Sequence, residues 1–155
     1  MTQEDKRYLQ DKLYHERDKE LLLKDLCARL PYSVRIEYNG EMYDVLGIAH
    51  GRVLLCKPFS SKTEKDCPLV EGIKPYLFPL SSMTDEQLKD LGTYYAKDSK
   101  NIIDDAIKSL ESPSVMYKAA HVCFNTQEWY NENHFDYRGL IEKGLALDAT
   151  GLNIY

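Results

Sequence analysis

Ser33-Val34-Arg35-Ile36-Glu37-Tyr38-Asn39-Gly40-Glu41-Met42-Tyr43-Asp44-Val45 is the stretch that sets the architecture of this chain. Ser33 to Tyr38 alternates polar and apolar residues, the period of a strand with one buried face. Asn39-Gly40 then supplies the two positive-φ positions of a type I′ hairpin turn. Closing that turn pairs Ile36 with Tyr43 and Val34 with Val45 on one face, and Arg35 with Asp44 on the other. A slip of one residue would set charge against apolar side chains on both faces, so the register is well specified. His50-Gly51 offers a second turn that returns Arg52–Lys57 along Glu41–Ala49, giving a three-stranded meander that Pro58 ends.

Upstream, Thr2 to Leu30 contains neither glycine nor proline. Leu22, Leu23, Leu26, Cys27 and Leu30 form a helical stripe, with a weaker continuation at Leu9 and Leu13. The spacing predicts one long helix, or two joined near residues 15–19, stopped by Pro31. Residues 1–19 carry too little apolar surface to require docking. They read as a solvated helical arm, and also as a candidate homodimer surface.

Downstream, Phe59 to Pro68 is polar and turn-rich and reads as a loop. Val70–Leu80 carries Pro75 and Pro79, which remove ladder donors, so it reads as at best an edge strand. Thr84 and Gln87 form a capping box that opens a helix with Leu88, Leu91 and Tyr95 on its inner face. Another helix is expected from about Lys100, and Val115–Phe124 after Pro113 reads as helix or strand, helix being preferred. Asn125 with Glu128 opens a short helix carrying Trp129. Asp136 is a candidate N-cap for a last short helix that Gly144 stops. The expected fold is α+β in a single domain over 1–155: an N-terminal helix, a small antiparallel sheet of three to four strands, then several helices.

The totals bound the function. The chain has 155 residues with a formal net charge of -5, and no run of four basic residues occurs, so a phosphate-binding footprint is missing and no nucleic-acid partner is expected. No signal-like apolar segment follows the amino terminus, and Leu21-Leu22-Leu23 falls far short of a bilayer span, so no membrane partner is expected. Cys27, Cys56, Cys67 and Cys123 are widely spaced and read as reduced thiols, mostly in the core, in a cytoplasmic protein. His121-x-Cys123 is an isolated pair where a zinc site needs more ligands, so no metal is expected. No nucleophile elbow, glycine-rich phosphate loop or S-x-x-K motif occurs, so neither catalytic residues nor a cofactor are expected. Cys56 would be partly exposed beside Lys57.

The candidate binding residues lie in the last quarter: Trp129, Tyr130, His134, Asp136, Tyr137 and Arg138. Large rings beside an acid, a guanidinium and an imidazole suit an anionic ligand or a partner carboxylate. They suit equally a packing corner in which Asp136 caps the next helix and Arg138 pairs with an acid elsewhere in the fold. Twelve tyrosines point the same two ways, toward a binding face or toward rings that cap a small core.

Three stretches resemble a family of small phage and prophage proteins of gut anaerobes. They are Lys24-Asp-Leu-Cys-Ala-Arg-Leu-Pro-Tyr-Ser-Val, Ile73-Lys-Pro-Tyr-Leu-Phe-Pro-Leu-Ser-Ser-Met-Thr and Asn133-His-Phe-Asp-Tyr-Arg-Gly-Leu-Ile-Glu-Lys-Gly-Leu-Ala-Leu. Asp90 to Phe124 departs from the pattern. The resemblance implies a setting, mobile-element cargo in bacterial cytoplasm, and carries over no activity, cofactor or site residue. Two functions are then expected in order: an accessory protein that binds a host or phage protein, and a binder of a small nucleotide-like anion.

Overall fold

The computed structural model describes residues 2–60, 62–68, 72–91 and 126–155. They belong to two compact units, Met1–Leu77 with Arg138–Tyr155, and Phe78–Tyr137.

In the first unit, helix α1 runs unbroken from Gln3 to Arg29, about 40 Å at the usual rise. Its start is a reciprocal capping box: Thr2 N–H donates to the Asp5 carboxylate (2.7 Å) and Asp5 N–H to the Thr2 hydroxyl (3.1 Å). Pro31 stops the helix as expected, turning Leu30–Tyr32 into a 3-10 turn. Leu22 and Leu26 are buried in the core, and Leu23 and Leu30 pack against it. Cys27, expected on that stripe, is exposed.

The hairpin forms in the expected register. Strands β1 (Arg35–Tyr38) and β2 (Glu41–Ala49) pair Ile36 with Tyr43 and Arg35 with Asp44, and Val45 N–H donates to Val34 C=O (2.9 Å). Asn39 and Gly40 both take positive φ, as do His50 and Gly51 at the turn into β3 (Arg52–Cys56). A bulge between Val45 and Gly47 leaves Leu46 exposed. The extra residue shifts the inward parity, so Ile48, rather than Gly47, sits opposite buried Val53 and packs on the core.

The expected meander is too small and too uniform. The sheet has six strands in the order β4-β3-β2-β1-β5-β6 and is mixed. The loop expected over Phe59–Pro68 contains β4 (Lys65–Pro68), which places Cys67 beside Val53. Strand β5 (Ile73–Leu77), expected at an edge, lies between β1 and β6 (Leu147–Asp148). Pro75 sits opposite Ile36. Lacking an N–H, it fits only a non-hydrogen-bonded pair, with its nitrogen turned away from β1. The parallel pairing with β6 begins at Tyr76, so nothing there calls on the missing donor. In place of the helix expected from Asp136, residues 140–144 form turns. Gly144 N–H donates to Ile141 C=O (3.0 Å) and Leu145 N–H to Leu140 C=O (2.9 Å), a Schellman closure with Gly144 at φ 70. Gly144 thus closes a turn, and the helix expected between Asp136 and Gly144 does not form.

In the second unit, residues 85–91 are helical. Both hydrogen bonds of the expected box are present, from Thr84 N–H to Gln87 Oε1 (2.9 Å) and from Gln87 N–H to the Thr84 hydroxyl (3.2 Å). Leu88, expected on the inner face, is exposed. Residues 126–132 form the helix that carries Trp129. Tyr95, the helix from about Lys100, Val115–Phe124, the His121–Cys123 pair and the Asn125 cap lie outside the described residues.

Candidate functional site

The residues singled out in the last quarter divide between the units. Trp129, Tyr130, His134, Asp136 and Tyr137 belong to the second. Helix 126–132 ends in another Schellman closure, with Phe135 N–H donating to Tyr130 C=O (2.9 Å) and His134 N–H to Asn131 C=O (3.3 Å). The left-handed position is held by His134 at φ 59, where glycine is usual. The chain then bridges to Phe78: Phe78 N–H donates to His134 C=O (2.9 Å) and Asp136 N–H to Phe78 C=O (2.8 Å).

This turn stacks the rings. Trp129 lies parallel to Phe135 with centroids 5.7 Å apart, and Phe135 meets Phe78 at 6.1 Å. Tyr130 sets an edge on Trp129 at 5.7 Å and stacks on Tyr137 at 5.3 Å. Trp129 is 3% exposed and Phe135 1%. His134 and Asp136 are buried, while Tyr130 and Tyr137 are half-buried. The indole N–H donates to Asp90 Oδ2 (2.8 Å), joining the corner to helix 85–91. An open depression of about 550 Å³ lies here, lined by Thr84, Gln87, Lys89, Asp90, Trp129 and Asn133.

Arg138 belongs to the first unit. Its Nε lies 3.8 Å from Asp25 Oδ1. Asp25 already holds Arg29 in a two-point pair at 2.8 and 3.1 Å, and both side chains of that pair are fully buried. This is the arrangement in which Arg138 pairs with an acid elsewhere in the fold. The Asp25–Arg29 pair itself escaped the sequence reading. Leu22, Asp25, Leu26 and Arg29 fall at i, i+3, i+4 and i+7, so two charges occupy positions of the buried stripe, and that pattern was the available signal.

A second charged hub gathers around Arg35. Its Nε donates to Asp44 Oδ1 (2.8 Å), Nη1 donates to Ile154 C=O, and the guanidinium lies 5.2 Å from the Phe59 ring centroid. The Tyr155 hydroxyl accepts from Arg35 N–H (3.2 Å) and donates to Tyr76 C=O (2.8 Å). Burial of that hydroxyl pushes the phenol up to about 12. Phe59 is 96% exposed and takes a positive φ. Cys56, expected at a partly exposed edge, is buried, and burial pushes its thiol up, away from the reactive thiolate.

The remaining feature of note is α1 itself. Every residue from Thr2 to Arg17 is exposed, including Tyr8 (70%), Leu9 (47%), Leu13 (60%) and Tyr14 (59%). Four large apolar side chains in water on one short helical segment are an unusual concentration. Among the described residues, no helix is long and apolar enough to cross a membrane. Comparison of the chain with family models, curated proteins and solved structures returned no match.

Proposed function

We propose that this chain is a non-enzymatic accessory protein of phage or prophage type that acts in the cytoplasm by binding protein, with the exposed half of α1 as its recognition element. The observation that carries this reading is the run of sixteen exposed residues, Thr2–Arg17, that displays Tyr8, Leu9, Leu13 and Tyr14. A helix offering apolar anchors at short spacing is a common way of engaging a protein groove or another helix. The aromatic corner of the last quarter supports the small-anion alternative less well, because Trp129 and Phe135 are spent on each other and Arg138 stands beside a buried carboxylate. Host proteins, phage proteins and a second copy of the chain all belong to the class of partner that such an element would take.

Photo-crosslinking in cells tests this, with a photoreactive residue at Tyr14 or, as control, at Glu86. Protein adducts are expected from position 14 in large excess over position 86. Equal yields, or none from position 14, would remove the arm as the recognition element. A nucleotide-sized molecule carried through purification would move the anion-binding reading ahead.

A further inference from the structure

We infer that the occupant of the arm is a second copy of the same arm, paired antiparallel so that Leu9 of each chain meets Leu13 of the other. This rests on the reading of α1 as the recognition element and names its partner.

Leu13 and Leu22 are nine residues apart, two and a half turns, so Leu9 and Leu13 do not continue the buried stripe as expected but point away from the side by which Leu22 and Leu26 dock in the core. A partner on the Leu9–Leu13 face therefore does not compete with the core. That face is a heptad seam. Thr2, Lys6, Leu9, Leu13, Glu16 and Glu20 recur at alternating steps of four and three, and all six are exposed.

The charges on the seam choose the orientation. In a parallel pair each residue meets its own copy, so Lys6 would face Lys6, Glu16 would face Glu16 and Glu20 would face Glu20. In the antiparallel pair that matches leucine to leucine, Lys6 faces Glu16 of the second copy at both ends, and Thr2 faces Glu20. At the flank, Asp5 falls beside Lys19 of the second copy. Lys12 meets its own copy there, at the solvent edge, where long side chains splay apart cheaply. Sliding the pair by a heptad sets leucine against Lys6 or against the glutamates. One arrangement thus satisfies both the apolar and the charged positions.

Two leucines per chain bury far less than the roughly 1,600 Å² of a standard stable interface. The dimer is accordingly weak, and the measurement is a titration. Sedimentation equilibrium of the full chain is expected to show a monomer–dimer exchange that Leu9→Lys abolishes. Lys6→Glu alone and Glu16→Lys alone each break two symmetry-related contacts and weaken the exchange about tenfold. The double variant Lys6→Glu/Glu16→Lys regains it. In a Cys27→Ser background, oxidation of a mixture of Leu9→Cys and Leu13→Cys chains should form the mixed disulfide over either self-disulfide.

Preferential self-disulfides mean a parallel pair and overturn the inference. So does a dimer indifferent to Leu9→Lys, or a double variant with no recovery. A wild-type chain that stays monomeric at the highest concentration overturns self-pairing alone, because crosslinking at Tyr14 to some other protein would still uphold the arm as the recognition element.

Discussion

The two halves of α1 share one ladder of backbone hydrogen bonds, yet different forces hold them. From Leu22 to Arg29 the helix is fixed by burial: Leu22 and Leu26 enter the core and Asp25 clamps Arg29 in the interior. From Thr2 to Arg17 no residue is buried, and what holds the helix is local, the Thr2–Asp5 box and the covalent continuation of a packed helix that serves as its nucleus. Isolated helices of this length are marginal in water because nucleation is costly. A docked half removes that cost for the exposed half, which can then keep its apolar side chains for another use.

The comparison breaks most visibly at Asp25. Asp25→Ala leaves a fully buried guanidinium without its carboxylate, and a loss of about 3–5 kcal/mol is expected in chemical denaturation of the full chain. An effect under about 1 kcal/mol would mean that Arg29 is held by other groups and that the clamp is incidental. The two leucine environments offer a sharper contrast. Leu26→Ala should cost about 2–5 kcal/mol through lost burial and a residual cavity. Leu13→Ala should stay within about 0.5 kcal/mol when measured on dilute protein. Comparable losses at both sites would show that the first half of α1 is docked after all.

Thr2→Ala is the most local of the four. It should speed amide exchange in the first turns of α1 roughly fivefold while leaving the global denaturation midpoint in place, since the arm opens without the core. A shifted midpoint would mean that the two halves unfold together. The same box has a pH signature. Hydrogen bonds from the Thr2 backbone and hydroxyl hold the Asp5 carboxyl below its ordinary range. Its contribution is therefore complete above the usual carboxylate pKa and is lost as pH falls through the lowered one, so acid should fray this end first.

How much was legible follows the range of the interactions. The β1–β2 register, the type I′ turn at Asn39-Gly40, the turn at His50-Gly51, the Pro31 stop and the Thr84 box were all readable, because each is decided by residues only a few positions apart. The bulge at Leu46, the strand Lys65–Pro68 and the two-residue β6 were not. A four-residue polar segment becomes a strand only when β3 offers it an edge. Pro75 was misplaced for the same reason: proline argues against an inner strand in general, but here β6 pairs only beyond it, and no local signal says so. In the last quarter the rings were visible as a cluster, but their roles were not. Whether Trp129 faces water or Phe135 depends on His134 taking a left-handed turn that sequence alone would assign to glycine.

By itself, the sequence determined that this is an α+β chain with a long capped helix, a hairpin of one register and an acidic balance unsuited to phosphate backbones. Only the tertiary structure decided that the sheet has six strands of mixed direction. It also decided that Asp25 and Arg29 form a buried charged pair with Arg138 beside it, and that Tyr8, Leu9, Leu13 and Tyr14 stand in water together on the first half of α1. The division has one physical cause. Turn geometry, capping and alternation act within a few residues. Burial, edge pairing and charge clamps act between segments as far as 120 residues apart, and their free energies exist only once the chain has brought those segments together.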